Sequence, residues 1–272
     1  MPRQAKPIRS DLAFSTPDRV VVRGLDLPTQ IMGHLNLGDM AFFHLTGRIP
    51  TPQESKLFNA MAISLVEHGM TPSALAARMT ILGAPEALQA AVAAGLCGLG
   101  SVFVGSTENV AVMLEEALPY GKDHRNADLD TLAREIVDRA KAQKRTVPGI
   151  GHPVHKPVDP RAERLFEIAK ETGFYGRYCD LIKRVQALAE KNSGKSLPVN
   201  ATGAIGALSC ELGLPPRVVR GIGVLARAIG LCGHILEELQ QPLALEVWQR
   251  IEEEAGEKAR AEIEKRSSPS AE

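Results

Sequence analysis

Apolar residues recur along this chain at intervals of three and four, the spacing that lays one stripe along a helix. Over 128–144, Leu129, Leu132, Ile136 and Ala140 fall on one face among charged neighbours, which predicts an amphipathic helix. Alternating Val/Ile/Thr runs, the mark of half-buried strands, are scarce, and Ala, Leu, Glu, Lys and Arg dominate. Proline and glycine divide the pattern. Thr51-Pro52-Gln53-Glu54 predicts a helix capped by Thr51, with Pro52 in its first position, running to about Glu67. Thr71-Pro72-Ser73-Ala74 opens the next in the same way, and Ala84-Pro85-Glu86 opens a third. Asp159-Pro160-Arg161 starts a helix ending near Gly173, and helices follow over 175–191, 200–212 and 215–239. A last, highly charged helix begins near Pro242, and a disordered tail is expected from about Ser267. The pattern predicts an all-α protein.

Two stretches break the helical period. Residues 119–128 are polar and read as a loop. Thr146-Val147-Pro148-Gly149-Ile150-Gly151-His152-Pro153 sets one histidine among two glycines and two prolines, a rigid turn of the kind that carries function. Elsewhere the glycines sit inside helices. Gly203, Gly206 and Cys210 stand at small-residue spacing, as do Gly221, Gly223, Gly230 and Gly233, which predicts close helix–helix contact of the sort found at subunit interfaces. Arg220 and Arg227 interrupt the second set and weigh against a membrane dimer motif.

Composition narrows the class. Lysine and arginine number 32 against 32 acidic residues, and no long basic block is present, so nucleic acid is not the expected partner. No unbroken apolar run approaches the ~18 residues of a membrane span. Met1-Pro2-Arg3-Gln4-Ala5-Lys6 has no apolar stretch behind it and does not read as a signal peptide. Cys97, Cys179, Cys210 and Cys232 form no CxxC pair, and three lie in Gly/Ala/Leu stretches, which suggests buried reduced thiols. No metal is expected, since HxxxH, HExxH and Cys/His clusters are absent. Gly203-Ala204-Ile205-Gly206 follows no strand and is not a dinucleotide fingerprint. A soluble, cytoplasmic protein is expected.

Chemistry gathers at a few positions. Amides freed by glycine at Gly149, Ile150 and Gly151 suit an anion or oxyanion, with His152 beside them as acid or base. Arg161, on the first turn of its helix, presents a fork suited to a carboxylate. Asn200 suits a helix cap. Arg227 lies among apolar residues and needs a counter-charge, from a side-chain or a bound carboxylate. His68 closes a helix, as a favourable cation there or as a ligand contact.

Taken in order, these features resemble the citrate synthase superfamily, most of all its short citryl-CoA lyase members. Leu45-Thr46-Gly47-Arg48-Ile49-Pro50 with Glu54 is similar to the family's LxGxxPxxxE turn. Glu67-His68-Gly69 with Pro72 to Arg78 is similar to its substrate-binding histidine segment, and Ala93 to Gly105 to the approach to its first catalytic histidine. Pro148 to His152 followed by Asp159-Pro160-Arg161 is the most specific match, completed by Leu197-Pro198-Val199-Asn200 and by Val224 to Gly230 with His234.

The resemblance implies a dimeric all-α enzyme with a large domain (1–105 and 215–272) and a small one (106–214). It implies His152 at the reacting carbon, with His68, Arg161 and Arg227 on substrate carboxylates. The Gly149, Ile150, Gly151 loop would line the site of a coenzyme A thioester, with no tightly bound cofactor. Two departures stand out. Phe103 falls where the family has its first catalytic histidine, and Thr202 replaces the aspartate that moves the methyl proton. Ser106, Thr202 and a backbone amide of the turn at 100–107 are the replacement donors, and Glu108 is the nearest carboxylate for proton transfer. The expected reaction is cleavage of citryl-CoA, or a related thioester, to acetyl-CoA and oxaloacetate, with His152 as general base. The alternatives are hydrolysis or decarboxylation of a CoA ester, or a non-catalytic carboxylate- or CoA-binding paralogue.

Overall fold

The chain opens with a meander of three short antiparallel strands: β1 (Ala13–Ser15), β2 (Val20–Val22) and β3 (Leu25–Asp26), paired in that order with Ala13 opposite Val22 and Val22 opposite Leu25. The β2–β3 turn places Arg23 at φ 45° and Gly24 at φ 85°, the positive-φ pair that a two-residue hairpin requires. Arg23 holds its conformation by donating from Nε and Nη2 to the His44 carbonyl at 2.9 and 2.7 Å. The structure, a computed structural model, describes residues 8–267; the disordered tail expected from about Ser267 lies outside them beyond that residue, as does the N-terminal Met1–Lys6 stretch.

A π-helical turn (Leu27–Ile31) leads to eleven α-helices among the described residues: α1 (Leu37–Thr46), α2 (Pro52–Val66), α3 (Pro72–Gly83), α4 (Leu88–Cys97), α5 (Gly105–Ala117), α6 (Leu129–Ala142), α7 (Pro160–Thr172), α8 (Arg177–Ser193), α9 (Ala201–Glu211), α10 (Pro216–Gln240) and α11 (Ala244–Ser267). Cap chemistry accounts for most starts. Thr71, Asp128, Asp159 and Asn200 each accept a backbone N–H of the following turn through a side-chain oxygen. Gly173 ends α7 in the left-handed conformation at φ 79°. The third expected start moves: Ala84 to Ala87 closes a turn, Ala87 N–H to Ala84 carbonyl at 3.0 Å, and α4 begins only at Leu88. The short meander is an addition to the all-helical expectation, and α1 is a helix that the sequence pattern did not single out.

Two compact units form, one from residues Met1–Ser64 and Val104–Gly223, the other from Leu65–Phe103 and Val224–Glu272. In the first, α5, α7 and α8 pack on α9, and α6 on α8. Val110, Ala111 and Leu114 of α5 meet Ala204, Ile205, Ala207 and Leu208 of α9 in a fully buried core. Gly206 makes this possible, because a β-carbon there would lie 2.5 Å from the Val110 side chain. Phe42 and Phe58 join α1 to α2 edge-to-face at 5.3 Å. In the second unit, α4 and α11 pack on α3, and Ala77, Ile81, Ala91, Leu231 and Ile235 form the core. Gly95 lets α4 approach Leu231.

Of the cysteines, Cys179 and Cys210 are buried, Cys232 is half-buried and Cys97 is exposed, so burial holds for one of the three in Gly/Ala/Leu stretches together with Cys179; all four are free thiols. By length and composition α10 matches a membrane span, which no unbroken apolar run in the sequence does, yet half of its most apolar stretch is buried inside the protein, as in a core helix.

Candidate active site

The expected site residues divide between the two units. Gly149, Ile150, Gly151, His152, Arg161, Thr202, Ser106 and Glu108 belong to the first, and His68 and Arg227 to the second.

In the first unit, the His152 loop lies antiparallel to the segment before α9. Ile150 bridges Val199, Gly151 N–H donates to the Pro198 carbonyl at 2.7 Å, and Asn200 N–H donates to the Gly149 carbonyl at 3.0 Å. Asn200 is the hub of this join. Its Nδ2 donates to the Gly151 carbonyl at 2.7 Å, and its Oδ1 accepts from Gly203 N–H at 3.0 Å and from the Thr202 hydroxyl at 2.7 Å. Gly149 and Gly151 adopt φ 77° and 89°, which a side-chain-bearing residue would resist.

Two of the three amides of the expected anion cradle, those of Ile150 and Gly151, are engaged within the protein. Ile150 N–H donates to Val147 and Gly151 N–H to Pro198, so neither amide is left for an anion. What the loop does instead is fix His152. Its Nδ1 accepts from Val154 N–H at 3.1 Å and from His155 N–H at 2.9 Å, with the His155 ring tilted by 32° against it, centroids 4.4 Å apart. A nitrogen that accepts two amides carries no proton, so the ring hydrogen lies on Nε2.

The carboxylate on the Arg161 fork is a side chain of this protein: Arg161 Nε and Nη2 lie on Asp159 Oδ1 and Oδ2 at 3.1 and 2.9 Å. Asp159 is fully buried, caps α7, and accepts from Ala201 N–H at 2.9 Å, so it ties the start of α7 to the start of α9. Burial pushes its carboxyl up, but the Arg161 hydrogen bonds and charge, with the amides of Ala201 and Arg161, hold it below the usual range. Nη1 is the Arg161 nitrogen that Asp159 leaves unengaged.

Ser106 and Glu108 ride on the first turn of α5, which a π-helical turn (Gly100–Val104) enters directly; the expected open turn at 100–107 is helical. Glu108 is held by Arg220 Nε at 2.6 Å, and the Thr202 hydroxyl is committed to Asn200. Neither arrangement is that of a waiting proton carrier.

The second unit holds a chain of charges in which Arg78, Arg227, His234 and Glu238 are buried and Glu67 and Glu237 are exposed. Arg227 is 7% exposed, donates from Nη1 to the Val66 carbonyl at 3.3 Å, and faces Glu67 Oε1 at 3.8 Å. Burial pulls its guanidinium down from the ordinary value while Glu67 opposes the shift. Glu67 Oε1 also accepts from the amides of His68 and Gly69 and from His234 Nε2. His234 Nδ1 in turn accepts from Arg78, which is fully buried and paired with Glu237 and, at 2.8 Å, with Glu238. His68 follows α2 on an exposed turn. The sequence pointed to Arg227 by its missing counter-charge but gave no sign of Asp159 as a buried hub. Arg78, inside Ala-rich α3, carried only the weak signal of an arginine among apolar neighbours.

The family described as citrate synthase, C-terminal domain, matches residues 29–249. A citryl-CoA lyase structure from Hydrogenobacter thermophilus is 30% identical, with a TM-score of 0.76 over 87% of this chain and 88% of that one. The citrate synthase structure from Thermotoga maritima superposes at a TM-score of 0.62 with 24% identity, over 77% of this chain and 55% of that one. Citrate synthase of Deinococcus radiodurans is 26% identical over 245 residues, 88% of this chain and 62% of that protein.

The all-helical fold with its large and small helical domains is therefore that of citrate synthase. This chain belongs to the citrate synthase family of enzymes. It spans from about half to 62% of the length of the curated citrate synthases it matches.

Proposed function

We propose that this chain is a carbon–carbon lyase acting on a coenzyme A thioester of a hydroxy-polycarboxylic acid, with citryl-CoA cleaved to acetyl-CoA and oxaloacetate. The observation that carries this is the match to a citryl-CoA lyase, 30% identical with a TM-score of 0.76 over 87% of this chain and 88% of that one. In the reaction the substrate hydroxyl gives its proton to solvent water, the C–C electron pair passes to the thioester as an enolate while the C–O bond becomes a carbonyl, and the enolate carbon takes a proton from solvent. His152 serves as donor from Nε2 to the oxygen that changes from alkoxide to carbonyl. This replaces the general-base role, because its Nδ1 is occupied by two amides.

His68, Arg227 and Arg161, the last through Nη1, hold the carboxylates. Gly149, Ile150 and Gly151 line the site of the CoA thioester, with the Ile150 and Gly151 amides engaged within the protein. Phe103 and Thr202 stand in place of a catalytic histidine and aspartate, with Ser106 and a main-chain amide near it as the donors left to the enolate. The domain division at 105 and 214, pairing with a second copy, the absence of a tightly bound cofactor and a cytoplasmic setting belong to the same proposal.

A second reading keeps the CoA-ester substrate but changes the reaction to hydrolysis or decarboxylation, or removes turnover altogether. The commitment of Glu108 to Arg220 and of Thr202 to Asn200 favours it. Incubation with citryl-CoA in heavy water, read by mass spectrometry, separates the two. Acetyl-CoA bearing one deuterium, together with oxaloacetate, is the expected result. Intact citryl-CoA, or free CoA with citrate, overturns the lyase.

A further inference from the structure

We propose that Glu67 is a positioning residue, whose single oxygen Oε1 fixes the turn bearing His68 and aligns Arg227 with it. The inference rests on the carboxylate-binding roles proposed above for His68 and Arg227. Three donors converge on Oε1: His68 N–H at 2.7 Å, Gly69 N–H at 2.6 Å and His234 Nε2 at 3.1 Å. Gly69, at φ 71°, lets the chain reverse so that both amides point to the same atom.

The far end of the tether is buried and hydrogen-bonded. His234 is 8% exposed, and Arg78 donates to its Nδ1 from Nε at 3.2 Å and Nη2 at 3.1 Å. An arginine carries no acceptor and stays protonated, so His234 is held as the Nε2–H tautomer and donates to Glu67. Arg78 is itself anchored by Glu238, whose other oxygen accepts from the amides of Leu243 and Ala244 at 2.9 and 2.8 Å. A rigid line thus runs from the start of α11 through Arg78 and His234 to the His68 turn.

Arg227 is fixed to the same feature. Its Nη1 donates to the Val66 carbonyl, and Gly230 lets α10 pass directly against that carbonyl, where a β-carbon would clash. With Oε1 3.8 Å away, Glu67 acts on Arg227 mainly by holding the turn whose carbonyl Arg227 binds, and only secondarily by charge. The carboxylate is ionised at neutral pH: burial raises its pKa, but the two amides and His234 bring it below the ordinary value.

Position and charge make opposite forecasts for two substitutions. Glu67→Gln keeps an oxygen at the same reach and loses the charge, whereas Glu67→Asp keeps the charge and withdraws the oxygen by one methylene. The test measures amide exchange at His68 and Gly69, and the KM and kcat for citryl-CoA, in the unmodified chain and in the Gln, Asp and Ala variants. Exchange at these two amides is expected to speed up at least ~10-fold in Glu67→Asp and Glu67→Ala, with KM rising about 10- to 100-fold and kcat moving about 3-fold or less. Glu67→Gln is expected to keep the amides slow and to hold KM within about 5-fold of the unmodified chain.

A KM raised more by Gln than by Asp would overturn the proposal in favour of a simple ion pair with Arg227. Unchanged exchange in the Asp variant would overturn it too, and that variant serves if Glu67→Ala does not fold. Slow exchange that depends on the Glu67 oxygen, in a chain that shows no turnover of citryl-CoA, would remove the proposed reaction while supporting the tether.

Discussion

Gly149 and Gly203 meet backbone to backbone: a β-carbon on Gly149 would lie 2.5 Å from the Gly203 Cα. The absence of both side chains is what lets the His152 loop reach Asn200 and pair with it. Gly203 lies within α9, where alanine is the better helix former by about 1 kcal/mol. Gly203→Ala nevertheless should destabilise, because overpacking a closed contact costs about 1–3 kcal/mol and the loop must move to relieve it. Urea unfolding reads the stability, and turnover should fall with it since His152 travels with the loop. A variant more stable than the unmodified chain would mean that the contact is slack.

His152 offers a test through its tautomer. Nitrogen-15 shifts of the ring are expected to show Nδ1 unprotonated and Nε2 bearing the hydrogen, as the Val154 and His155 amides require. Removing the donor in His152→Ala should cut kcat about 100- to 1,000-fold. Glutamine can place an N–H near the former Nε2, so His152→Gln should recover part of that loss. Equal loss in both variants would return His152 to the role of a base, and no loss in either would take it out of the reaction.

Helix starts were legible because their chemistry is local: Thr51, Thr71, Asp128, Asp159 and Asn200 each act on amides within three residues. The β-meander was not, since strands of two or three residues are too short to show a period. The start of α4 was misplaced because Pro85 fits a turn as well as a helix. At the site, the glycine–histidine loop and the need of Arg227 for a partner could be read from neighbours in sequence. Which partner could not, since Glu67 stands 160 residues away and is brought to Arg227 only by the packing of α10 on the end of α2. Arg161 shows the same limit at short range. Its fork was visible, but the burial of Asp159, which claims that fork, depends on Ala201.

Acid should weaken the fold through Glu54 in particular. Arg48 binds both its oxygens, at 2.6 and 2.8 Å, and Thr51 completes a capping box with it. The Arg48 hydrogen bonds outweigh burial and bring its pKa from 4.5 to about 2. A carboxyl whose folded pKa is depressed adds stability in full above its unfolded value, and the contribution drains away as pH falls from about 4.5 towards 2. Asp159 acts in the same direction. Glu54→Gln should therefore be less stable than the unmodified chain at neutral pH, with the gap in melting temperature closing below about pH 4. A gap that stays constant across that window would show that the charge contributes nothing.

Arg78 gives the largest expected effect on stability. It is fully buried between Glu237, Glu238 and His234, so Arg78→Met removes the cation and leaves an acidic side chain in the interior. Glu238 would keep the Leu243 and Ala244 amides on Oε1 but lose the charge facing Oε2. Breaking one side of a buried pair costs about 3–5 kcal/mol, more than the pair itself contributes, because the stranded charge stays desolvated. Pairing Arg78→Met with Glu238→Gln should recover part of the loss, since the second change removes that stranded charge. Urea unfolding of the single and double variants measures the coupling. A strictly additive cycle would mean that the two groups are satisfied independently, and that the line from α11 to the His68 turn is not held by their attraction.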